Sequence, residues 1–150
     1  MYLFVKLLHV AATVLFLGNI FTGVYWKLRA DRAGDGNIIA NTLDTIARSE
    51  RAFTLPSAAV LLLTGIGLAR LAGLSLLGTP WLAASIGLFA VSGLVFALIV
   101  TPLQRRLRAA ALAAGRPDYR RLSFWWEVSG WTSIVSSVAA LILMVLKPWT

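Results

Sequence analysis

Long apolar runs and short polar connectors alternate along the chain. Four runs, at 3–26, 52–72, 80–102 and 124–146, are each 21 to 24 residues long. At about 1.5 Å of rise per residue, each run coiled as a helix crosses the roughly 30 Å hydrocarbon core of a bilayer. The pattern predicts an all-α integral membrane protein, an antiparallel four-helix bundle in a single transmembrane domain spanning residues 1–150.

The connectors carry structure of their own. Gly34-Asp35-Gly36-Asn37 breaks the chain after the first run, and Ile39, Leu43, Ile46 and Ala47 then recur at helical spacing. A short amphipathic helix running into span two, kinked near Pro56, is expected there. After the third run, residues 107–114 should prolong span three until Gly115-Arg116-Pro117 ends it. The first run is longer than the roughly 7–15 apolar residues of a signal peptide, and no small-x-small cleavage site follows it. It reads as a retained span.

Charged residues make up only 13% of the chain against 59% hydrophobic, which leaves no room for a separate water-soluble domain. The net charge of +8 comes from residues lying between or at the ends of the runs. Anionic lipid headgroups, not nucleic acid, are the partners this implies. With no cysteine in the chain, disulfides and thiolate chemistry are excluded. Connectors one and three hold 11 of the 14 basic residues, which places both in the cytoplasm and both termini outside. Aromatic residues give the same boundaries. Tyr25, Trp26, Phe53, Phe124, Trp125 and Trp126 fall at the inner interface, and Tyr2, Phe4, Trp81 and Trp149 at the outer one.

Helices in lipid pair through small residues. Gly18 with Thr22, Ala83 with Gly87, Gly93 with Ala97, and the row Ser129, Ser133, Ser137 are the expected seams. Ionisable residues inside a span are costly and mark candidate sites. Lys6, His9 and Thr13 share an arc of about 60° on span one, and Ser133, Ser137, Ala140, Met144 and Lys147 an arc of about 80° on span four. In an antiparallel bundle His9 and Met144 then lie at similar depth, beneath Lys6, Arg70 and Lys147. Imidazole and thioether are axial ligands of haem iron, and the cations would suit propionates. The metal-ligand candidates are therefore His9 and Met144, with Lys6, Arg70 and Lys147 completing a haem b site. The alternative for His9 is hydrogen-bonded packing, for the cations snorkelling anchors, and for Met144 a gap filler. With a single histidine, bis-histidine ligation needs a homodimer. Glu127 and Asn19 mark a second candidate, an ion-coupled transport site. The alternative is that Glu127 pairs with Arg120, Arg121 or Lys27 at headgroup depth.

The opening Tyr2-Leu-Phe-Val-Lys6-Leu-Leu-His9-Val, then Gly18-Asn19, Thr54-Leu-Pro56, Pro102-Leu-Gln-Arg-Arg106 and Leu143-Met-Val-Leu-Lys147-Pro148 are similar to an uncharacterised family of bacterial four-helix inner-membrane proteins. More distantly, the Lys-x-Leu-His opening and the ending Val145-Leu-Lys147-Pro148-Trp149 resemble the bacterial membrane protoporphyrinogen oxidase of the haem pathway. That resemblance implies a haem-binding membrane protein with His9 as an iron ligand and a role for Lys147. That family carries a lysine shortly after the span-three tryptophan, whereas Trp81 here is followed by Leu82-Ala83-Ala84-Ser85. The resemblance thus implies porphyrin binding and leaves the oxidase reaction open. A weaker similarity links the chain to copper-resistance membrane proteins, but it offers one His and two Met where a copper site wants several. No P-loop, catalytic triad or dinucleotide fingerprint is present in the sequence. Three readings result: a haem b protein centred on His9, a cofactor-free accessory subunit serving a partner membrane subunit, and a small ion-coupled transporter.

Overall fold

A computed structural model describes residues 1–113 and 118–148. It contains six α-helices: α1 (Tyr2–Ala33), α2 (Gly36–Ser49), α3 (Leu55–Leu71), α4 (Pro80–Val95), α5 (Thr101–Leu112) and α6 (Tyr119–Leu146). Five-residue π-helical turns, Glu50–Thr54 and Phe96–Val100, join α2 to α3 and α4 to α5. The result is four helices long and apolar enough to cross a membrane, Tyr2–Ala33, Gly36–Leu71, Pro80–Leu112 and Tyr119–Leu146, with no strand among the described residues. The segment Gly115-Arg116-Pro117 and Trp149 lie outside the described residues.

Every helix outruns its apolar stretch at the end carrying connectors one and three, called here the basic end. The expected amphipathic helix is α2. Gly34 closes α1 in the left-handed conformation (φ 71°), which glycine adopts without a Cβ penalty. Asp35 then caps α2, its carboxylate accepting from the Asn37 and Ile38 amides at 2.7 and 3.2 Å. Ile39, Ala40, Leu43 and Ile46 are buried on one face. At the junction with span two, the helix widens just upstream of Pro56. The Leu55 amide reaches back five residues to Glu50, and the Thr101 amide likewise to Phe96. Each π turn ends two residues before a proline, Pro56 or Pro102. A proline ring clashes with the carbonyl four residues upstream and donates no hydrogen bond. A wider turn there relieves the clash while the chain stays helical.

The helices pair as α1 with α3 and α4 with α6, while α2 packs on α5 at the basic end. Three clusters fill the interior. At the basic end, Ile39, Leu43, Leu107, Ala111 and Trp126 meet; in the middle, Ala12, Phe16 and Leu61; at the far end, Ala69, Trp81 and Leu82. In the far half, side chains bridge the two helix pairs. The Phe16 and Phe89 rings lie 5.5 Å apart, and the Ala69–Trp81–Leu82 cluster spans α3 and α4. The far connector closes α3 with two capping bonds, Leu74 N–H to the Ala69 carbonyl at 2.9 Å and Gly73 N–H to that of Arg70 at 3.1 Å, with Leu74 folded onto the cluster.

The small-residue seams are only partly as expected. Ser129, Ser133 and Ser137 are buried, and Ser92 of α4 bonds the Ser133 and Ser137 hydroxyls at 2.9 and 2.8 Å. Gly18, Gly87 and Gly93 face outward with nothing within 4 Å of an added Cβ, so they form no seam. Glycines that do pack within the spans include Gly23, against Ile46, and Gly67, against Val5. Two belt assignments are corrected as well. Trp81 and Trp126 are buried, at 6% and 4% exposure, whereas Tyr2, Phe4, Tyr25, Trp26, Phe53, Phe124 and Trp125 are exposed as interfacial rings should be. Both buried indoles serve as packing centres of their clusters.

Candidate functional site

At the far end, α1 presents His9 to α3. Its Nδ1 lies 2.8 Å from the Thr64 hydroxyl, and an added Cβ on Gly65 would stand 3.4 Å from His9 Cε1. The ring therefore packs at ordinary contact distance against α3 at Gly65. Thr64 Oγ1 in turn donates to the Val60 carbonyl at 2.5 Å. A hydroxyl has one proton. With that proton committed to Val60, the oxygen accepts from His9, so Nδ1 carries the imidazole hydrogen and Nε2 the lone pair. Thr13, one turn along, donates to the His9 backbone carbonyl at 2.8 Å. Lys6 and Arg70 are exposed.

Met144 packs against the Ala69–Trp81–Leu82 cluster. Measured along α3, Ala69 is five residues beyond Thr64, or about 7 Å nearer the end of the bundle. Lys147 Nζ stands 5.8 Å from the Trp81 ring centroid. The Trp81 Nε1–H is buried with no hydrogen-bond partner among the described residues. The predicted residues thus divide into a histidine held by α3 and a methionine, lysine and unsatisfied indole grouped at the far cluster. The polar row of α6 faces Ser92 on α4.

The densest polar constellation is at the basic end. Lys27 is 1% exposed and uses all three of its protons. It donates to Asp31 Oδ2 at 2.6 Å, to Glu127 Oε1 at 2.8 Å and to Ser123 Oγ. Ser123 passes its own proton to Glu127 at 3.0 Å, and the Tyr119 hydroxyl donates to Asp31 Oδ1 at 2.5 Å. The Trp126 and Tyr119 rings lie 5.5 and 5.9 Å from the ammonium. Lys27 and Asp31 are one turn apart on α1, and Ser123 and Glu127 one turn apart on α6, so the two antiparallel helices offer matching pairs at one depth. Of the partners expected for Glu127, Lys27 is the one observed. Asn19 donates to Thr54 Oγ1 at 2.8 Å, which ties α1 to the first π turn.

Also at the basic end, a cavity of about 330 Å³ opens between α2 and α5, bordered by residues of both π turns. Asp44 and Arg108 pair on its wall at 2.7 Å. Sequence reasoning did not reach Lys27, Asp31, Tyr119 and Ser123 as one group, nor this cavity. The i, i+4 spacing of Lys27/Asp31 and Ser123/Glu127 was the available signal.

No curated protein and no solved structure matches the chain. A family model described as a predicted integral membrane protein, DUF2269, matches residues 3–148, nearly the whole length and all four spanning helices. The chain belongs to that family of integral membrane proteins.

Proposed function

We propose that the protein is a bacterial inner-membrane subunit that binds haem b at the far end of the bundle, with His9 Nε2 as iron ligand. The observation that carries this reading is the chain His9–Thr64–Val60. Ligating histidines commonly donate their other ring N–H to a fixed acceptor, which sets the tautomer and the ring orientation. Thr64 does this for His9 at 2.8 Å. The donor set at the far cluster also fits the group. The unsatisfied Trp81 Nε1–H calls for an acceptor oxygen such as a propionate carboxylate, Lys147 lies over the same ring, and Lys6 and Arg70 stand exposed at that end. Bound haem would supply one-electron transfer. The protein's own part is to fix the imidazole through Thr64, offer cations and an indole N–H to the carboxylates, and exclude water with Phe16, Phe89 and the far cluster. Met144 is this chain's candidate for the second axial position. The transporter reading has less support, because Glu127 is already bonded by Lys27 and Ser123.

The test is the visible spectrum of the protein purified in detergent from iron-supplied cells. A Soret band is expected, lost in His9→Ala. Thr64→Val should keep the band but weaken haem affinity about 10–100-fold, the usual cost of losing a ligand's hydrogen-bond partner. Met144→Leu should lower the midpoint potential if the thioether ligates, since methionine ligation raises it. Colour that persists unchanged in His9→Ala would overturn the ligand assignment. A colourless parent protein would favour the cofactor-free accessory subunit, for which the satisfied Lys27 node and the Ser92–Ser133–Ser137 cluster are the supporting observations.

A further inference from the structure

The cavity at the basic end has the size, composition and position of a ligand site that none of the reasoning about His9 touches. Its volume of about 330 Å³ is at the lower end of ordinary small-molecule pockets. One wall is apolar, formed by Leu43, Leu55 and Phe96. The rim is charged, with Arg51, Arg105 and Arg108 lining the same space. Arg108 is committed to Asp44, and Arg51 lies beside Glu50. Arg105 is exposed and has no acidic partner among the described residues. The charges around the cavity therefore leave an unmatched guanidinium next to a hydrocarbon-lined wall.

Both π turns border this space, Glu50 and Arg51 from one and Phe96 from the other. Single π turns inside α-helices concentrate at functional sites. The prolines that follow each turn account for the widening, and its result is that residues from two separate spanning helices meet at one cavity.

We propose that this cavity binds the headgroup end of an anionic phospholipid. Its phosphate would sit on Arg105, and the start of an acyl chain would lie along Leu55 and Phe96. Basic pockets between spanning helices at a membrane interface recognise such headgroups, and a planar guanidinium grips phosphate through two parallel N–H bonds. A free phosphate would make no use of the apolar wall. The amphiphile uses both surfaces, and it is the most abundant anion where a bilayer meets this end of the bundle.

The proposal stands apart from haem binding and is tested on the full-length protein in detergent. The thermal midpoint is followed while phosphatidylglycerol, phosphatidylcholine with the same chains, or inorganic phosphate is added, and retained lipid is counted by native mass spectrometry. Phosphatidylglycerol should raise the midpoint and remain bound at one per chain, and the other two should not. Arg105→Gln, an exposed position, should keep the lipid-free midpoint and weaken phosphatidylglycerol binding at least about fivefold, the equivalent of one interfacial cation. Ala47→Phe, which fills the cavity, should remove the bound lipid while leaving the arginines in place. Equal stabilisation by phosphatidylcholine, an equal response to inorganic phosphate, or full binding by Arg105→Gln would each overturn the assignment.

Discussion

A lysine at the end of an apolar run ordinarily snorkels its ammonium to the interface. Lys27 is instead enclosed by α1 and α6, with three acceptors and two aromatic faces around it. Removing one member of a fully buried ion pair costs about 3–5 kcal/mol, and the cost here is smaller because the Asp31 and Glu127 side chains keep 25% and 36% exposure. Lys27→Met should therefore lower stability in detergent by about 1–2 kcal/mol, read as a drop in the thermal midpoint. Adding Glu127→Gln to that variant should recover part of the loss, because the stranded carboxylate is then neutral. Strictly additive losses would show that Lys27 and Glu127 do not act as a pair. The sequence could nominate Lys27 as one of three partners for Glu127, since all lie near one interface. It could not show that Lys27 is buried. That depends on α1 and α6 approaching just where both carry an i, i+4 polar pair, and periodicity within one helix holds no information about the neighbour.

Elements were more legible than residues. The period of Ile39, Leu43 and Ile46 marked α2, and Gly34 and Asp35 marked its boundary, because an αL glycine and an N-cap aspartate are local chemistry. Glycine positions along the spans misled, since the same residue serves a helix seam or a lipid-facing groove depending on where the neighbour lies. Gly18 and Gly36 make the contrast measurable. An added Cβ meets nothing within 4 Å at Gly18, whereas at Gly36 it would run into the Ala111 backbone carbonyl oxygen. Backbone cannot rotate aside as a side chain can. Gly36→Ala should therefore push α5 away from α2 and destabilise the protein by about 1–3 kcal/mol, the range for overpacking. Gly18→Ala should be neutral or stabilise by up to about 1 kcal/mol through helix propensity. Thermal midpoints of the two variants side by side decide the matter, and an equal response would mean that the α2–α5 contact at Gly36 is looser than the geometry indicates.

At the scale of the molecule, helix length and charge together predict an orientation. Gly36–Leu71 and Pro80–Leu112, at 36 and 33 residues, are about 50 Å long, some 20 Å more than the hydrocarbon core. The far connector is short and uncharged, so the surplus falls at the basic end. There α2 and α5 pack on each other through the Gln104 bond to the Leu43 carbonyl at 3.2 Å and the Asp44–Arg108 pair. A protruding basic layer belongs on the side where lysine and arginine accumulate. Because the chain has no cysteine, single introduced cysteines report on this without background. Leu77 in the far connector is 84% exposed, and Asn41 lies on the exposed side of α2. In intact cells producing the protein, a membrane-impermeant maleimide should label Leu77→Cys at once and Asn41→Cys only after permeabilisation. The reverse pattern would leave the helix pairing intact but turn the molecule over. Arg51 and Arg105 would then face the outer leaflet, His9 would lie near the cytoplasm, and the charge asymmetry of the connectors would need a cause other than membrane insertion.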